Sequence, residues 1–486
     1  MAATASPLGV LDVAKALAFV GDLSMGQPVD HSLRTACIAR ALARASGCGP
    51  VETDTAYRIA LLRWSGCTAN ATQFSGIFED DVLGRARSLS TSMASLADRI
   101  TPANGKLLLQ AIGVHCEVSI QIAALLGASP QVREGLGLMF ESFDGRHSPG
   151  SRSGRDVPMP VYVANLAGDI EVFSRENGVD EAMRRIAAQG DRRYPAALVD
   201  CAVGNIRRWL DDLADRSDFD EPGAAATPPA GVVGLELVAD VIDLKIPWMT
   251  GYSRRVAAAV QACCDALAME PASAAESVRA ALIHGLGRAS VPNAVWNSTG
   301  RPSLADTERM RLVPYWTQRA AAQIPALRVE AELASYAFER VNGEGFFRGR
   351  SVGKMPIEAQ VLALAVAWCD ARTPRPHRPG CSVDEASERL LDQAAEGGFD
   401  ATLARRFTAA IRIGKPPDRR TSRPLLSERE RQVLLRISLG DSTKQAALAL
   451  DIGPGTVRTH VESILKKLGC TTRAAATLKA ATLGLI

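Results

Sequence analysis

The stretch VDHSLRTACIARALA at residues 29–43 returns as TGYSRRVAAAVQACC at 250–264, each position of the first answering to one position of the second without a gap. The same offset lays AYRIALLRWSGC (56–67) over SVRAALIHGLGR (277–288). A shorter offset then lays FESFDGRHSP (140–149) over FERVNGEGFF (338–347), one indel accounting for the change. Leu33, Ala36, Cys37 and Ala43 in the first copy, and Val256, Ala259, Val260 and Leu267 in the second, lie on single faces at helical steps. Strand-like alternation is scarce, so the chain is expected to be all-α and to contain one helical bundle twice.

Length and composition set the frame around this repeat. At roughly 150 residues per domain, 486 residues suggest about three domains. With 47% hydrophobic and 22% charged residues the chain is globular, which excludes collagen-like, coiled-coil and predominantly disordered classes. Pro, Gly and charge gather in DRSDFDEPGAAATPPAG (215–231) and GKPPDRRTSRP (414–424), which read as linkers. The expected division is therefore 1–213, a linker at 214–231, a second body at 232–413, a linker at 414–424, and a last block at 425–486. No run reaches 18 consecutive apolar residues and the N-terminus lacks a basic region ahead of its apolar run, so no membrane partner and a cytoplasmic location are expected. Ten cysteines without a C-x-x-C pair read as reduced thiols.

The net charge of +3 conceals an asymmetry: from Lys415 onward 13 basic residues face 6 acidic ones, a net +7, against −4 for the remainder. A compact basic block on a mildly acidic body points to an anionic partner, and double-stranded DNA leads. In that block Ser427 and Glu430 form an S-x-x-E capping box ahead of Val433, Leu434 and Ile437, and Gly440 closes the helix. Ser442 caps a second helix through Leu450. Gly453-Pro454 opens a third, with Pro at the first helical position. Its apolar stripe is Val457, Val461, Ile464, Leu465 and Leu468. Thr456, Arg458, Thr459, Glu462, Ser463, Lys466 and Lys467 are left outward, and a fourth helix starts near Arg473. A short helix, a tight turn and a longer helix with a polar face suit insertion of the longer helix into the major groove. Lys444, Lys466, Lys467 and Arg473 then neutralise phosphates, Arg458 reaches guanine O6 and N7, and Glu462 accepts from cytosine N4.

Through L-S-E-R-E-x-x-V-L at 426–434, Gly440, Lys444, T-V-x-x-H at 456–460 and I-L-x-K-L at 464–468, the last block resembles the LuxR-type helix-turn-helix domain of bacterial transcription regulators. The resemblance implies that Arg458, Thr459 and Glu462 face base edges, that Thr456 and the lysines near Lys467 meet phosphate, and that the last helix helps to form a homodimer. Ala446 departs from the family, which carries a larger aliphatic residue there.

H-S-x-R near 31, A-L-L-x-x-x-G at 60–66 and 281–287, H-x-x-x-x-x-I-A at 115, and E-x-x-D-G and E-x-x-N-G at 141 and 339 give the two upstream copies a resemblance to HD-GYP domains. These are helical metal-dependent phosphohydrolases that hydrolyse cyclic di-GMP, with His and Asp ligands that turn a bound water into hydroxide. In the first copy the ligating His-Asp pair falls on Arg63 and Trp64, a double histidine on Met139 and Phe140, and the G-Y-P signature on His147, Ser148 and Pro149; His31, His115 and Asp169 remain. In the second, the pair is His284 and Gly285 and the double histidine is Ala337 and Phe338; only His284 remains. From these losses the sequence predicts no catalytic residue, no metal and no cofactor, hence not an enzyme. The emptied centres are read as packed core or a ligand pocket built from Arg63, Trp64, His115, Phe140, Asp169, His284 and Phe338. The chain is thus expected to be a DNA-binding regulator whose bodies dimerise or respond to a small-molecule or protein signal. The alternatives are a cyclic di-GMP phosphohydrolase carried by the first copy, with a single metal on His31, His115 and Asp169 as one form, and a non-hydrolysing cyclic-dinucleotide receptor.

Overall fold

The computed structural model describes residues 8–90, 102–146, 152–214, 234–349, 355–376, 378–413 and 425–486. Apart from residue 214, the two expected linkers lie outside these residues, as do His147, Ser148 and Pro149. Every described element is helical, as the periodicity predicts; only isolated bridges such as Gly190 to Tyr194 interrupt the pattern. Gly9–Val233 is one compact unit, and Gly234–Ile486 makes up nearly all of a second.

The first unit comprises α1 (Val10–Ser24), α2 (His31–Ala45), α3 (Pro50–Leu62), α4 (Ala71–Phe78), α5 (Asp81–Ser90), α6 (Pro102–Leu125), α7 (Pro130–Gly137), α8 (Met159–Asn177), α9 (Val179–Ala187) and α10 (Ala196–Ala214). Pro160 through Val172 are buried without a break, so α8 is covered on all sides, with α2, α3 and α9 packed on it. Its end is set by Gly178, whose φ of +80° suits a residue without Cβ. Glu52 at the third position of α3 accepts from the Gly49 N–H at 3.0 Å, and Pro50 opens that helix where its missing N–H costs nothing. Asn104–Leu125 of α6 is long and apolar enough to cross a membrane by length and composition, which a count of consecutive apolar residues overlooks; it packs on α4 and α7.

The second unit begins with α11 (Glu236–Asp243), α12 (Tyr252–Leu267), α13 (Pro271–Ile283), α14 (Asn293–Trp296), α15 (Leu304–Arg311), α16 (Val313–Ala321), α17 (Arg328–Ala334), α18 (Ile357–Arg372), α19 (Val383–Ala395) and α20 (Ala401–Ile413). Its inner helix is α18, buried at Ala359, from Val361 to Val366, and at Trp368 and Cys369. The repeat read from sequence recurs in the helices. Pro50–Leu62 and Pro271–Ile283 match end to end at the first offset, and the starts of α8 and α18, Met159 and Ile357, match at the shorter one.

Four further helices close the same unit: α21 (Glu428–Ser438), α22 (Thr443–Leu450), α23 (Pro454–Leu468) and α24 (Arg473–Thr482). Both caps of the first two are boxes, with Ser427 Oγ accepting from Glu430 N at 3.3 Å and Ser442 Oγ from Gln445 N at 3.3 Å. Val457, Val461, Ile464 and Leu468 form the buried stripe of α23, and Ala446, the noted departure, is fully buried. Glu430 does more than cap. Its carboxylate also accepts from Ser463 Oγ at 2.7 Å and from Lys467 Nζ at 2.7 Å, pinning α21 to α23. Burial alone would raise this carboxyl, but the hydrogen bonds from Lys467, Ser463 and Ser427 bring it down to about 2.

Two outcomes follow from this packing. Gly168 of α8 lies against the Arg63 guanidinium, where a Cβ would overlap it. Gly168→Ala is expected to cost about 1–3 kcal/mol in urea unfolding, whereas Gly204→Ala on α10, where a Cβ meets nothing within 4 Å, is neutral or stabilising. Because the Glu430 carboxyl is depressed in the folded state, its contribution is complete above the ordinary value of 4.5 and is lost as pH falls through about 2. Hydrogen-exchange protection in residues 428–468, measured against the intrinsic rate at each pH, is expected to fall over that acid range, and Glu430→Gln to flatten the dependence while lowering protection at neutral pH.

Candidate functional sites: two arginine-filled cores and a nucleic-acid interface

In the first unit Arg63, the C-cap residue of α3, lies buried and donates Nη2–H to His31 Nε2 at 2.7 Å. An arginine offers only donors, so His31 Nε2 is the lone pair and the ring proton sits on Nδ1, which donates to Glu171 Oε2 at 2.6 Å. Burial pushes His31 below its ordinary range, consistent with that neutral ring. Glu171, which burial would raise, is held at about 2 by His31 and Arg175. Asp22 takes both Ser32 N and Ser32 Oγ, at 3.0 and 2.5 Å, at the start of α2. Asp169 is engaged by Tyr194 Oη at 2.6 Å and Arg193 Nη1 at 3.1 Å.

The second unit repeats the device with different chain positions. Asp243 accepts from Ser253 N and Oγ, both at 2.8 Å, and this pair stands at the repeat-equivalent positions of Asp22 and Ser32. His284 occupies the position equivalent to Arg63; its partner is Arg288, one helical turn on, donating Nη2–H to His284 Nε2 at 2.9 Å. His284 Nδ1–H donates to Ala281 O at 2.6 Å, and burial together with the Arg288 charge lowers the ring to about 3. Each guanidinium also lies over an aromatic ring, Arg63 over Trp64 at 4.7 Å and Arg288 over Tyr252 at 4.6 Å.

Four of the residues expected to line a pocket, Arg63, Trp64, His115 and Phe140, come together here and pack on one another. His115 lies between Trp64 (6.0 Å) and Phe140 (5.6 Å), with Nδ1 3.6 Å from Cys67 Sγ, and burial lowers it to about 4. Asp169 sits on Tyr194 and Arg193 instead, with its charge acting on Arg63. In the second unit Phe338 stacks on Phe346 at 5.0 Å, while His284 is met by Tyr252 and Arg288. As arranged, His31 and His284 are not free to ligate a metal: their Nε2 lone pairs are taken by guanidinium groups, and no three His, Cys, Asp or Glu among the described residues converge as ligands. His115 differs, its buried Nε2 having no hydrogen-bond partner.

A cavity lies elsewhere. About 270 Å³ opens between α18 and α19, lined by Arg340, Asp370, Arg378, Arg389 and Gln393 among others. Asp370 is paired with Arg375, so three guanidinium groups give the wall a positive balance. Sequence reading missed these residues and also Arg288, Glu171 and Asp22. The arginine run at 372–378 was the available signal for the cavity, and Asp22-Leu23 recurring as Asp243-Leu244 in the repeat was the signal for the buried carboxylates.

On the C-terminal helices, Lys444, Thr456, Arg458, Thr459, Glu462, Lys466, Lys467 and Arg473 are exposed. Ser463 corrects the outward reading. It is half-buried and donates to Glu430, because a capping carboxylate on a packed helix still needs partners for its remaining lone pairs. Lys467 shares that carboxylate, and Arg473 Nη2 donates to Thr443 Oγ1 at 3.1 Å.

Residues 236–403 match the HD domain, and residues 424–480 match the luxR family of bacterial regulatory proteins. A Vibrio cholerae protein named 3'3'-cGAMP-specific phosphodiesterase 3 is 23% identical over 442 residues, 84% of this chain and 95% of that one. A crystal structure of a cyclic GMP-AMP specific phosphodiesterase of V. cholerae shares the fold, with a TM-score of 0.61 at 20% identity over 84% of this chain and 99% of its own. The probable transcriptional regulatory protein NarL of Mycobacterium tuberculosis is 49% identical over 57 residues, 12% of this chain and 26% of that one. The expectation of a chain that is not an enzyme is overturned here. The relative matching most of its length is named a phosphodiesterase, and a cyclic di-GMP phosphodiesterase of Pseudomonas aeruginosa is 28% identical over 144 residues, 28% of this chain and 33% of that one. Ligand losses at two aligned centres were too narrow a basis for excluding activity in the whole chain. The protein carries an HD domain and, C-terminal to it, a helix-turn-helix domain of the luxR family of bacterial regulatory proteins.

Proposed function

We propose that this protein is a DNA-binding transcription regulator whose HD-type body takes a 3'3'-cyclic dinucleotide, the compound class named in its relatives, and that phosphodiesterase activity on it is part of the same reading. The observation that carries the DNA half is the exposure of Thr456, Arg458, Thr459, Glu462 and Lys466 along one helix, opposite its buried stripe. In this reading Arg458 and Glu462 read base edges, Thr459 stands beside them, and Thr456, Lys466, Lys467, Lys444 and Arg473 hold phosphates. Two copies on two half-sites give the affinity that one short module lacks. Gly9–Val233 is a second HD-type body, a reading supported by the Asp–Ser pairs and the buried His–Arg contacts recurring in both units.

For the dinucleotide, the wall formed by Arg340, Arg378 and Arg389 supplies cations for a phosphodiester. No chemical step is assigned to His31 or His284, whose Nε2 lone pairs are occupied.

The full chain is expected to shift a mixed duplex pool at low salt, with affinity falling steeply as salt rises. No shift at low salt overturns the DNA half. Arg458→Ala is expected to cost about 1–3 kcal/mol and relax sequence preference, whereas Lys466→Ala weakens all sequences alike and lowers the salt slope by about 1. Incubation with 3'3'-cGAMP and cyclic di-GMP, followed by chromatography and equilibrium dialysis, is expected to detect binding and linear product. Arg389→Ala should weaken binding roughly tenfold, and a chain that neither binds nor cleaves either compound sinks the dinucleotide half.

A further inference from the structure

The last helix, α24, is covered more completely than its own module can explain. Ala475, Ala476, Thr477 and Leu478 are all buried, and so are Ala480 and Ala481. Four consecutive residues span a full turn at 3.6 residues per turn, so burial of all four means cover on every side. Helices α21 and α23 pack on α24 from within the module, and α11 of the HD domain packs on it from outside. The short side chains of α24 permit that close approach.

Next to this seat the two parts make a polar contact. Thr250 Oγ1 lies 2.8 Å from Ser438 O, at the end of α21, and 2.8 Å from Pro247 O. Pro247 also faces Gly440, where a Cβ would stand 3.0 Å from the proline Cβ. Gly440 has a φ of +96°, so the turn after α21 favours glycine in its own right, and the absence of a side chain lets Pro247 close on it.

The same short stretch reaches the arginine-filled core. Asp243, the last residue of α11, holds the start of α12 through Ser253 and lies 3.7 Å from Arg288 Nη1. Tyr252, two residues after Thr250, carries Arg288 over its ring and stands 5.8 Å from the His284 ring. Asp240, in the middle of α11, is held by both Nε and Nη2 of Arg254 at 2.6 Å. Eight residues at 1.5 Å each make α11 about 12 Å long. One rigid helix and the ten residues 243–252 therefore touch both the module's seat and the buried His284–Arg288–Asp243 cluster. Meanwhile α23 keeps its outer face exposed, so this docking does not cover the residues proposed to read DNA.

We propose that α11 and residues 243–252 form a coupling element that docks the C-terminal module on the HD domain, so that a change at the His284–Arg288–Asp243 cluster alters the hold on α24 and the orientation of α23. The docking itself stands apart from the proposed function; its effect on DNA occupancy rests on that reading. Physical coupling of this kind travels through packed elements shared by two sites.

A protease site introduced within 414–424 of the full chain tests it. After cleavage, the wild-type C-terminal module is expected to co-migrate with the rest on gel filtration, and Pro247→Trp to release it. Hydrogen exchange in residues 473–482 of the uncut chain is expected to rise roughly tenfold in Pro247→Trp and also in Arg288→Ala. Exchange in Gly9–Val233 is expected to stay unchanged. If Arg288→Ala unfolds the domain by circular dichroism, Arg288→Lys, which keeps a cation without the planar fork, carries the same comparison. Separation of the cut wild-type chain overturns the docking, and unchanged exchange in the Arg288 variant overturns the coupling. Duplex affinity measured on the same variants is expected to change several-fold. If the wild-type chain binds no duplex at all, the DNA reading fails while cleavage and exchange still decide the docking.

Discussion

A guanidinium without water around it must find lone pairs or negative charge within hydrogen-bond reach, and the interiors of both bodies are arranged around that demand. In Gly9–Val233, Arg63 meets His31, whose other nitrogen donates to Glu171, while Asp169 supplies further negative charge. Gly168 leaves the space the guanidinium fills. In the second unit Arg288 does the same with His284 and Asp243. Each arrangement fixes the tautomer of a buried histidine and ties together helices distant in sequence, so removing one member would leave buried polar atoms unpaired rather than simply loosening a contact.

The C-terminal module depends on a smaller version of the same demand. Glu430 begins as a capping residue and ends as the point where α21 and α23 are joined, because a carboxylate has more lone pairs than one N–H can use. That draws Ser463 inward and leaves Arg458, Thr459 and Glu462 exposed, with Thr456, Lys466 and Lys467 beside them. A binding surface is thus set partly by what its neighbours need for stability. The phosphodiesterase names of the relatives sit beside centres in which His31 and His284 are occupied by arginines, while other arginines line the cavity between α18 and α19.

Much of this is legible in the amino-acid sequence. Two constant offsets carry the helices of one body onto the other, and capping boxes at Ser427 and Ser442, Pro454 and the Val457–Leu468 stripe mark the last module helix by helix. These features are local: a cap, a helical period or a repeat is written within a few turns of chain. The partners of the buried histidines were not legible. Arg288 supplies from one turn further along what Arg63 supplies from the histidine-aligned position itself, and Glu171 lies far along the chain from His31, on a different helix. Residue identity at an aligned position was therefore a poor guide to the chemistry of the centre, and the exclusion of enzymatic activity built on it did not stand.

The amino-acid sequence by itself determined an all-helical chain with a repeated body and a basic terminal module, because those properties follow from hydrophobic period, capping and charge along short segments. Only the tertiary structure decided which arginine meets which histidine, that Glu430 claims Ser463 and Lys467, and that α11 covers α24. Those pairings join residues far apart in the chain, and burial alone, by removing water as a competing partner, makes them obligatory.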